Sequence, residues 1–378
     1  MNRRDFVTLG LAGGCSAAIA SLGLHRGPES IFHRGPTSSV IPVVGDGKWI
    51  WTKPPQETGY LEPRPFELSI GVEMQGTGEA TQIRASTPVP VEHPEQQIDD
   101  VRIEAEGCEA RLQAVGEGAA QLLVAAPRIA SGQKVRAVAH YKLTLKKQHQ
   151  GFRREQFPTR QPQPAADIRK LYLQDSPGIQ TSSAEVRKLA AQLAEASQAS
   201  PHPWDMAQSF CEWIRGHIRP QVGDYTSVPI ALQQNRGDCE EMAGIFVALC
   251  RHHEIPARLV WVPSHNWAEF YLTDAEGKGH WIPAHTGCYS WFGWTGAHEL
   301  VLQKGDRVTP AHERRPQRLL EDWGQWVGRR PKFRWLADLA PLPAEAQTDA
   351  GPGSRIKLEN GEWKLTGKHP LDRYLRST

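Results

Sequence analysis

The stretch that decides the fold is Arg236-Gly237-Asp238-Cys239-Glu240-Glu241-Met242-Ala243, which has the pattern of a helix start. Asp is a favoured N-cap and a Glu three positions later completes a capping box, so Asp238 and Glu241 predict a helix whose first residue is Cys239. Gly237 allows the preceding loop to approach the helix closely. A thiol at the first helical position faces the positive end of the helix dipole and nearby N–H groups, which stabilise a thiolate or a developing oxyanion. The pattern therefore predicts a nucleophilic cysteine.

A thiolate also needs a partner that handles its proton, and the downstream residue that fits is His265. It begins the strand-like run Ser264-His265-Asn266-Trp267-Ala268-Glu269-Phe270-Tyr271-Leu272, where an imidazole can project from a rigid frame. A lone histidine before a strand is more often structural. The catalytic interpretation of this one therefore depends on the motifs around it.

Four motifs follow one another along the chain: Gly-Asp-Cys-Glu-Glu at 237–241, Ile255-Pro256-Ala257-Arg258, His265-x-Trp267-Ala-Glu-Phe-Tyr-Leu, and Trp281-Ile-Pro. In this order and spacing they resemble the transglutaminase-like superfamily over about residues 205–310. The resemblance implies an α+β, papain-like fold, with the nucleophile helix packed on an antiparallel sheet and commonly preceded by a β-rich domain. It also implies a Cys–His–Asp site in which Cys239 attacks an amide and His265 acts as the base.

The third position of the site departs from that family's pattern. Where the family usually has Asp, four residues after the tryptophan, this chain has His285 in Trp281-Ile-Pro-Ala-His285. A neutral His285 can accept a hydrogen bond from the ring of His265, but it stabilises an imidazolium less well than a carboxylate does. If His285 titrates near its usual pKa of about 6.5, it also repels that imidazolium. We expect a weaker or more pH-sensitive enzyme; the alternative is that His285 is a surface residue and the site is impaired.

The remaining site candidates are less specific. Gln233, Gln234 and Tyr225 lie upstream of the nucleophile, where family members often place a polar side chain that supplies a second oxyanion contact. Each is more often solvent-facing or structural. Trp261 and Trp267 are candidates for lining the acyl groove, although tryptophan is equally common in a core.

A metal site was weighed against this interpretation. His280, His285 and Cys288 are separated by four and two residues, and Cys239 is a possible fourth ligand. Zinc sites usually show tighter pairs, such as C-x-x-C or H-x-x-x-H. We therefore predict neither a metal nor another cofactor.

The rest of the chain divides by its hydrophobic pattern. Runs such as Phe66–Met74 alternate apolar and polar residues between turn signals, which predicts antiparallel strands of a β-sandwich. From Ala184 the period becomes helical, and three strand-like runs, 257–262, 267–273 and 280–284, follow the nucleophile helix. The predicted organisation is an export signal at 1–24, a linker at 25–60, the β-sandwich at 61–150, a linker at 151–183, the transglutaminase-like catalytic domain at 184–310 and a C-terminal extension at 311–378.

The N-terminus resembles a twin-arginine export signal. Arg3-Arg4-Asp5-Phe6-Val7 precedes a weakly apolar run, and Ala18-Ile19-Ala20 has the small-x-small pattern of a cleavage site. Cys15 loosely resembles the cysteine of a lipoprotein box, so a lipid anchor is a less favoured alternative. Without the signal, five of the six cysteines remain, an odd number that leaves at least one thiol unpaired within the chain. We expect a periplasmic or cell-envelope protein without a membrane span.

Composition excludes some function classes. The 378-residue chain has 39% hydrophobic and 23% charged residues and a formal net charge of +2, which is ordinary for a soluble protein and too mild to predict nucleic-acid binding. The expected substrate is an amide of a protein or peptide, and hydrolysis is favoured over transfer to an amine. The alternative from another class is a binding module that keeps the fold without the activity. The sequence does not predict the oligomeric state.

Overall fold

The computed structural model describes residues 24–28, 50–196, 202–221, 223–263, 265–287, 290–342, 355–359 and 362–366. The segments 24–28, 355–359 and 362–366 are described as backbone only. The predicted export signal lies outside the described residues up to its last position, Leu24, and so does Cys15.

Helices lie in one part of the described chain and most strands on either side of them. The helices are α1 (Ala166–Tyr172), α2 (Ala184–Ala196), α3 (Pro203–His217), α4 (Val228–Gln234) and α5 (Cys239–His252), with a 3-10 turn at Arg154–Gln156. The strands are β1 (Leu24–Pro28), β2 (Gly59–Gln75), β3 (Ala80–Val89), β4 (Gln96–Glu106), β5 (Glu109–Ala114), β6 (Ala120–Ile129), β7 (Lys134–His149), β8 (Arg219–Pro220), β9 (Arg236–Gly237), β10 (Ala257–Val262), β11 (His265–Thr273), β12 (Gly279–Ala284), β13 (Trp294–Thr295), β14 (Gln303–Lys304), β15 (Trp323–Gly328), β16 (Lys332–Pro341), β17 (Arg355–Glu359) and β18 (Glu362–Thr366).

Two antiparallel sheets form the predicted β-sandwich. One has the strand order β1-β15-β3-β6-β5, and the other has the order β13-β7-β2-β16-β17-β18, with β4 also paired to β7. Alternate residues of β2 point between the sheets because successive side chains of a strand face opposite sides. Phe66, Ile70 and Met74 are accordingly fully buried and pack in one core with Leu122 of β6 and Trp326 of β15.

Two strands of the sandwich come from late in the chain. β15 lies between β1 and β3, and β16 pairs with β2 from Lys332 to Pro341. Trp326 and Leu339 of these strands are 0% exposed. The sequence predicts a C-terminal extension at 311–378, whereas residues 323–341 supply strands to both sheets of the sandwich. Local alternation shows that a segment is a strand, but it does not show which sheet the strand joins.

The second half of the chain is built around α5. Its sheet is antiparallel with the order β12-β11-β10-β14. Phe246 of α5 packs in one core with Ala268, Phe270 and Leu272, which are alternate residues of β11. Helices α2, α3 and α4 contribute to the same core. The prediction of an α+β fold with a nucleophile helix on an antiparallel sheet is confirmed.

Buried charges join this sheet to the sandwich. Glu269 alternates with the β11 residues that face α5, so it lies on the opposite face of the sheet. Its carboxylate lies 2.8 Å from Nζ of Lys304 and 2.7 Å from the guanidinium of Arg258. Lys304 also pairs with Glu95 of the sandwich at 2.5 Å. These contacts fix β11, the strand that begins with His265, against the sandwich.

The helices of the described residues include none that is both long enough and apolar enough to cross a bilayer.

Candidate active site

The nucleophile helix begins as the sequence predicts. Asp238 is the N-cap of α5, and its side chain accepts a hydrogen bond from the N–H of Glu240 at 2.9 Å. The Glu241 side chain accepts one from the N–H of Asp238 at 2.9 Å, which completes the capping box. A Cβ atom on Gly237 would lie 2.4 Å from Cβ of Glu241, so a glycine is needed for this approach. Cys239 is therefore the first residue of a helix whose N-terminus is closed by both hydrogen bonds of a capping box.

Exposure separates Cys239 from the core cysteines. Cys239 is a partly exposed thiol outside any disulfide, whereas Cys211 and Cys250 are 0% exposed. Burial raises the pKa of Cys211 to about 12 and that of Cys250 well above its usual value. A thiolate is therefore costly at both core positions, and the expectation that Cys250 is a core residue is confirmed.

His265 begins β11 and is 7% exposed. Within the described part of the chain, its Nε2 atom is buried without a hydrogen-bond partner. Burial lowers the pKa of His265 to about 3, so its imidazole is neutral at physiological pH. A neutral ring is in the protonation state that can accept a proton from a thiol.

The segment 285–287, which follows β12 directly, lies near both predicted catalytic residues. The paired part of β11 and β12 ends with Ala268 opposite Ala284. Beyond it, the ring of His285 stacks on Trp267 with centroids 4.9 Å apart and lies 6.2 Å from the ring of His265. Two residues later, a Cβ atom on Gly287 would lie 3.8 Å from Cβ of Cys239. The chain from His285 to Gly287 therefore joins the surroundings of His265 to those of Cys239.

His285 occupies the third position and is only 1% exposed, which excludes the surface alternative. Trp267 stacks on its ring, and Trp291 contacts it edge-on at 5.0 Å. Its Nε2 atom lies 3.2 Å from the hydroxyl of Thr295, and its carbonyl accepts a hydrogen bond from Arg215 at 3.0 Å. Sequence reasoning missed Thr295 and Arg215, since no local pattern links them to a histidine on another element.

The expected hydrogen bond between His285 and His265 is not formed. Their rings are nearly parallel at 21°, with centroids 6.2 Å apart, and Nε2 of His265 has no partner among the described residues. Burial, and then the neighbouring His265, lower the pKa of His285 well below its usual value. His285 therefore stays neutral at physiological pH, and the repulsion expected from its titration near pH 6.5 does not arise.

The three polar candidates upstream of Cys239 separate into two groups. Gln233 is exposed and donates to Glu185 at 2.7 Å, and Gln234 is exposed and accepts from Arg236 at 2.8 Å. Both amides are therefore used in surface contacts of α4 rather than in the site. Tyr225, in contrast, is partly buried. Its ring contacts a residue that forms an ion pair with α5.

That residue is Arg318, which sequence reasoning also missed. Its guanidinium lies 3.6 Å from the ring centroid of Tyr225, and its Nε forms an ion pair with Glu240, the residue after Cys239. It also lies 5.9 Å from the ring of Trp261. Trp261 and Trp267 are each 3% exposed. Both rings are therefore packed against other protein atoms near the site and do not line an open groove.

The residues weighed as a metal set have other contacts. His280 lies 2.7 Å from Asp274 and His285 is held by Thr295, while Cys288 lies outside the described residues. In the described ranges, no group of three His, Cys, Asp or Glu side chains is arranged to hold a metal ion.

Comparison with known proteins agrees with this geometry. Residues 187–286, which include the two candidate catalytic residues, match the family model described as the transglutaminase-like superfamily. The chain is similar to the solved structure of a candidate cysteine protease from Cytophaga hutchinsonii, with 16% sequence identity, a TM-score of 0.50, and coverage of 76% of this chain and 93% of that chain. A candidate protease from Parabacteroides distasonis overlaps 56% of this chain and 42% of its own, with 13% identity and a TM-score of 0.24, which supports no structural argument. Comparison with curated proteins gave no match. At 16% identity, the similarity to the Cytophaga hutchinsonii structure supports a shared fold alone.

Proposed function

We propose that the transglutaminase-like domain matched at residues 187–286 is a cysteine enzyme that cleaves an amide of a protein or peptide through a thioester. The observation that supports this proposal is the position of Cys239 at a capped helix start beside Gly287, two residues after His285, whose ring lies 6.2 Å from that of His265. Similarity to a candidate cysteine protease of the same fold agrees with the proposal.

The proposed reaction begins with proton transfer. Neutral His265 accepts the thiol proton as the Cys239 sulfur attacks the amide carbon. The new thiolate next to the ring favours the imidazolium, because an opposite charge within a few ångströms raises the pKa of a histidine. The positive end of the α5 dipole and the backbone N–H of Cys239 stabilise the carbonyl oxygen as it gains negative charge, since the N–H groups of Glu240 and Glu241 already donate to Asp238. The imidazolium then protonates the leaving amine, and a thioester remains on the enzyme.

We favour water over an amine as the acceptor of that thioester. Water needs no second binding site, and the same imidazole can activate it as a general base. A peptide amide offered together with a primary amine distinguishes the two routes. Hydrolysis predicts a free carboxylic acid as the main product, and amine transfer predicts the new amide.

A thiol-reactive amide probe tests the proposal. We expect wild type to be labelled faster than both Cys239→Ala and His265→Ala. Cys108→Ala is the matched control, because Cys108 is the other partly exposed thiol among the described cysteines and lies in the sandwich. The control is expected to label like wild type. Equal labelling of wild type and the two site variants would show that this domain is not a cysteine enzyme.

A second candidate function is a binding module that keeps the fold without catalysis. The observation that favours it is the third position, where His285 replaces a carboxylate and leaves Nε2 of His265 without a hydrogen-bond partner among the described residues. For the enzyme, His285→Asp should preserve or raise labelling by the amide probe and His285→Ala should lower it. Unchanged labelling in both variants would remove His285 from the site.

We also propose that the protein acts after export, in the periplasm or cell envelope, on the basis of the twin arginines at Arg3 and Arg4. Replacement of both by lysine should retain the protein in the cytoplasmic fraction. Export of the double variant would contradict this part of the proposal.

A further inference from the structure

The start of α5 is acidic, although a thiolate is the species it has to stabilise. Asp238, Glu240 and Glu241 all lie within two residues of Cys239. Negative charges nearby disfavour a thiolate and raise the pKa of its thiol. Two of the three carboxylates, Asp238 and Glu241, form the capping box and cannot be moved away. His265 is neutral before it accepts the thiol proton, so in the resting site it carries no charge that offsets these carboxylates.

Among the described residues, Arg318 is the cation that forms an ion pair with a carboxylate of this helix start. Its Nε pairs with Glu240, which is itself 6% exposed, while its guanidinium plane rests on Tyr225. Only 20% of the Arg318 side chain is exposed, so its charge is screened less than a surface charge would be. Glu321, Glu241 and Asp238 also act electrostatically on Arg318, so its charge lies near the carboxylates of the helix start and is also attracted by Glu321.

The backbone on either side of Arg318 is fixed to the catalytic sheet. The buried side chain of Gln303 on β14 donates to the carbonyl of Arg318 at 2.9 Å and accepts from the N–H of Leu320 at 2.9 Å. Leu319, between them, packs in the same core as α5. Arg318 is therefore held in place from its own backbone. It lies beyond residue 286, where the family match ends.

We propose that Arg318 is a positioning residue that fixes Glu240 and offsets the carboxylate charge at the start of α5, so that the Cys239 thiolate forms at a lower pH. The proposal rests on the proposed function in one respect, that Cys239 is the nucleophile. The other ionisable groups placed around Cys239 are neutral His265 and His285, Arg215 bound to the carbonyl of His285, and Tyr225 beneath Arg318.

The test is the pH dependence of alkylation at Cys239, with iodoacetamide as the reagent and mass spectrometry of the Cys239 peptide as the readout. Arg318→Gln removes the ion pair with Glu240, and we expect the apparent pKa of the thiol to rise by about one unit, which slows alkylation about tenfold on the acid side. Adding Glu240→Gln removes the carboxylate charge that Arg318 offsets, so the double variant should recover most of that loss. A purely structural role of Arg318 predicts no recovery.

Arg334→Gln is the matched control, since Arg334 is an exposed arginine that pairs with Glu73 at 3.0 Å in the sandwich. It should titrate like wild type. The inference is overturned if Arg318→Gln titrates like this control, or if the double variant alkylates as slowly as Arg318→Gln. If the single variant does not fold, Arg318→Lys, which keeps the charge, is compared with the double variant; a thiol pKa near that of wild type in both supports the inference, and raised values in both overturn it.

Failure of this inference and failure of the proposed function are distinguishable. Alkylation measures the thiol alone and needs no turnover. A raised pKa in Arg318→Gln together with no labelling of wild type by the amide probe would retain the role of Arg318 and reject the enzyme. Normal amide labelling together with an unchanged thiol pKa would do the reverse.

Discussion

Lys304→Met should destabilise the protein because it leaves two carboxylates buried without their shared cation. The side chains of Lys304, Glu95 and Glu269 are 5%, 9% and 2% exposed. Removing one partner of a buried pair costs about 3–5 kcal/mol. Arg258 still neutralises Glu269, so we expect the lower end, about 3 kcal/mol, arising mainly from Glu95. With a urea m-value of about 2–3 kcal/mol/M, the unfolding midpoint falls by about 1 M.

The pH dependence of the same variant gives a second readout. Burial alone would raise the pKa of Glu269, but Lys304 and then Arg258 lower it to about 2. A lowered folded-state pKa contributes stability that is present above the unfolded value, about 4.3, and is lost as the pH falls through the folded value. Without Lys304 the pKa of Glu269 rises towards its unfolded value, so the stability contributed by Glu269 should be smaller and its loss on acidification should be complete at a higher pH.

Urea unfolding at neutral pH, followed by tryptophan fluorescence, measures the effect. Arg334→Met is the control, because Arg334 belongs to an exposed ion pair with Glu73, and such pairs contribute about 0–1 kcal/mol. Adding Glu95→Gln to Lys304→Met should restore part of the loss by removing the unpaired charge. A Lys304→Met protein whose midpoint equals that of the control would refute the reasoning that this cluster is buried and mutually dependent.

Two further predictions concern the helix start and an isolated carboxyl. Asp238→Ala should lower the free energy of unfolding by about 1 kcal/mol through loss of the N-cap, seen as a lower thermal midpoint; no change would show that the cap is replaceable. Glu299 is 6% exposed, and burial raises its pKa to about 8. Because the unfolded chain releases this proton first, stability should fall as the pH rises from about 4.5 to 8, and Glu299→Gln should remove that slope. An equal stabilisation by Glu299→Gln at pH of about 5 and 8 would contradict the assignment.

The helix start and the sheet of the transglutaminase-like domain were predictable because their signals are local. A capping box needs only Asp238 and Glu241, three residues apart, and the structure has it. The run 257–262 was predicted as a strand and is β10 with the same bounds. β11 begins at His265, two residues before the strand predicted from the sequence. Its first residue is in the strand because it pairs with Val262 of β10, and such a pairing is not visible in the alternation of β11 itself.

The surroundings of the site were not predictable in the same way. His285 was identified from its spacing after Trp281, but its bonding depends on Thr295 and Arg215, which lie on separate elements. Arg318 lies in a segment without periodicity, and its ion pair with Glu240 joins residues that are 78 positions apart in the chain. Such contacts depend on which distant segments of the chain the fold brings together. Chemistry fixed by helix capping and strand patterns was therefore accessible from the sequence, and the tertiary contacts that support it were not.

The late arrival of β15 and β16 has a consequence for biosynthesis. β7 ends at His149 and β15 begins at Trp323, so about 170 residues are translated between the early strands and the strands that complete their sheets. At roughly 5–20 residues per second, the ribosome needs on the order of 10–35 s for this interval. During that time the edges of β2 and β3 that later receive β16 and β15 lack their partners, and such edges are sites of wrong pairing. A nascent chain stopped before Trp323 should therefore bind chaperones through the sandwich, even though every residue of α5 and β10–β14 has already been made.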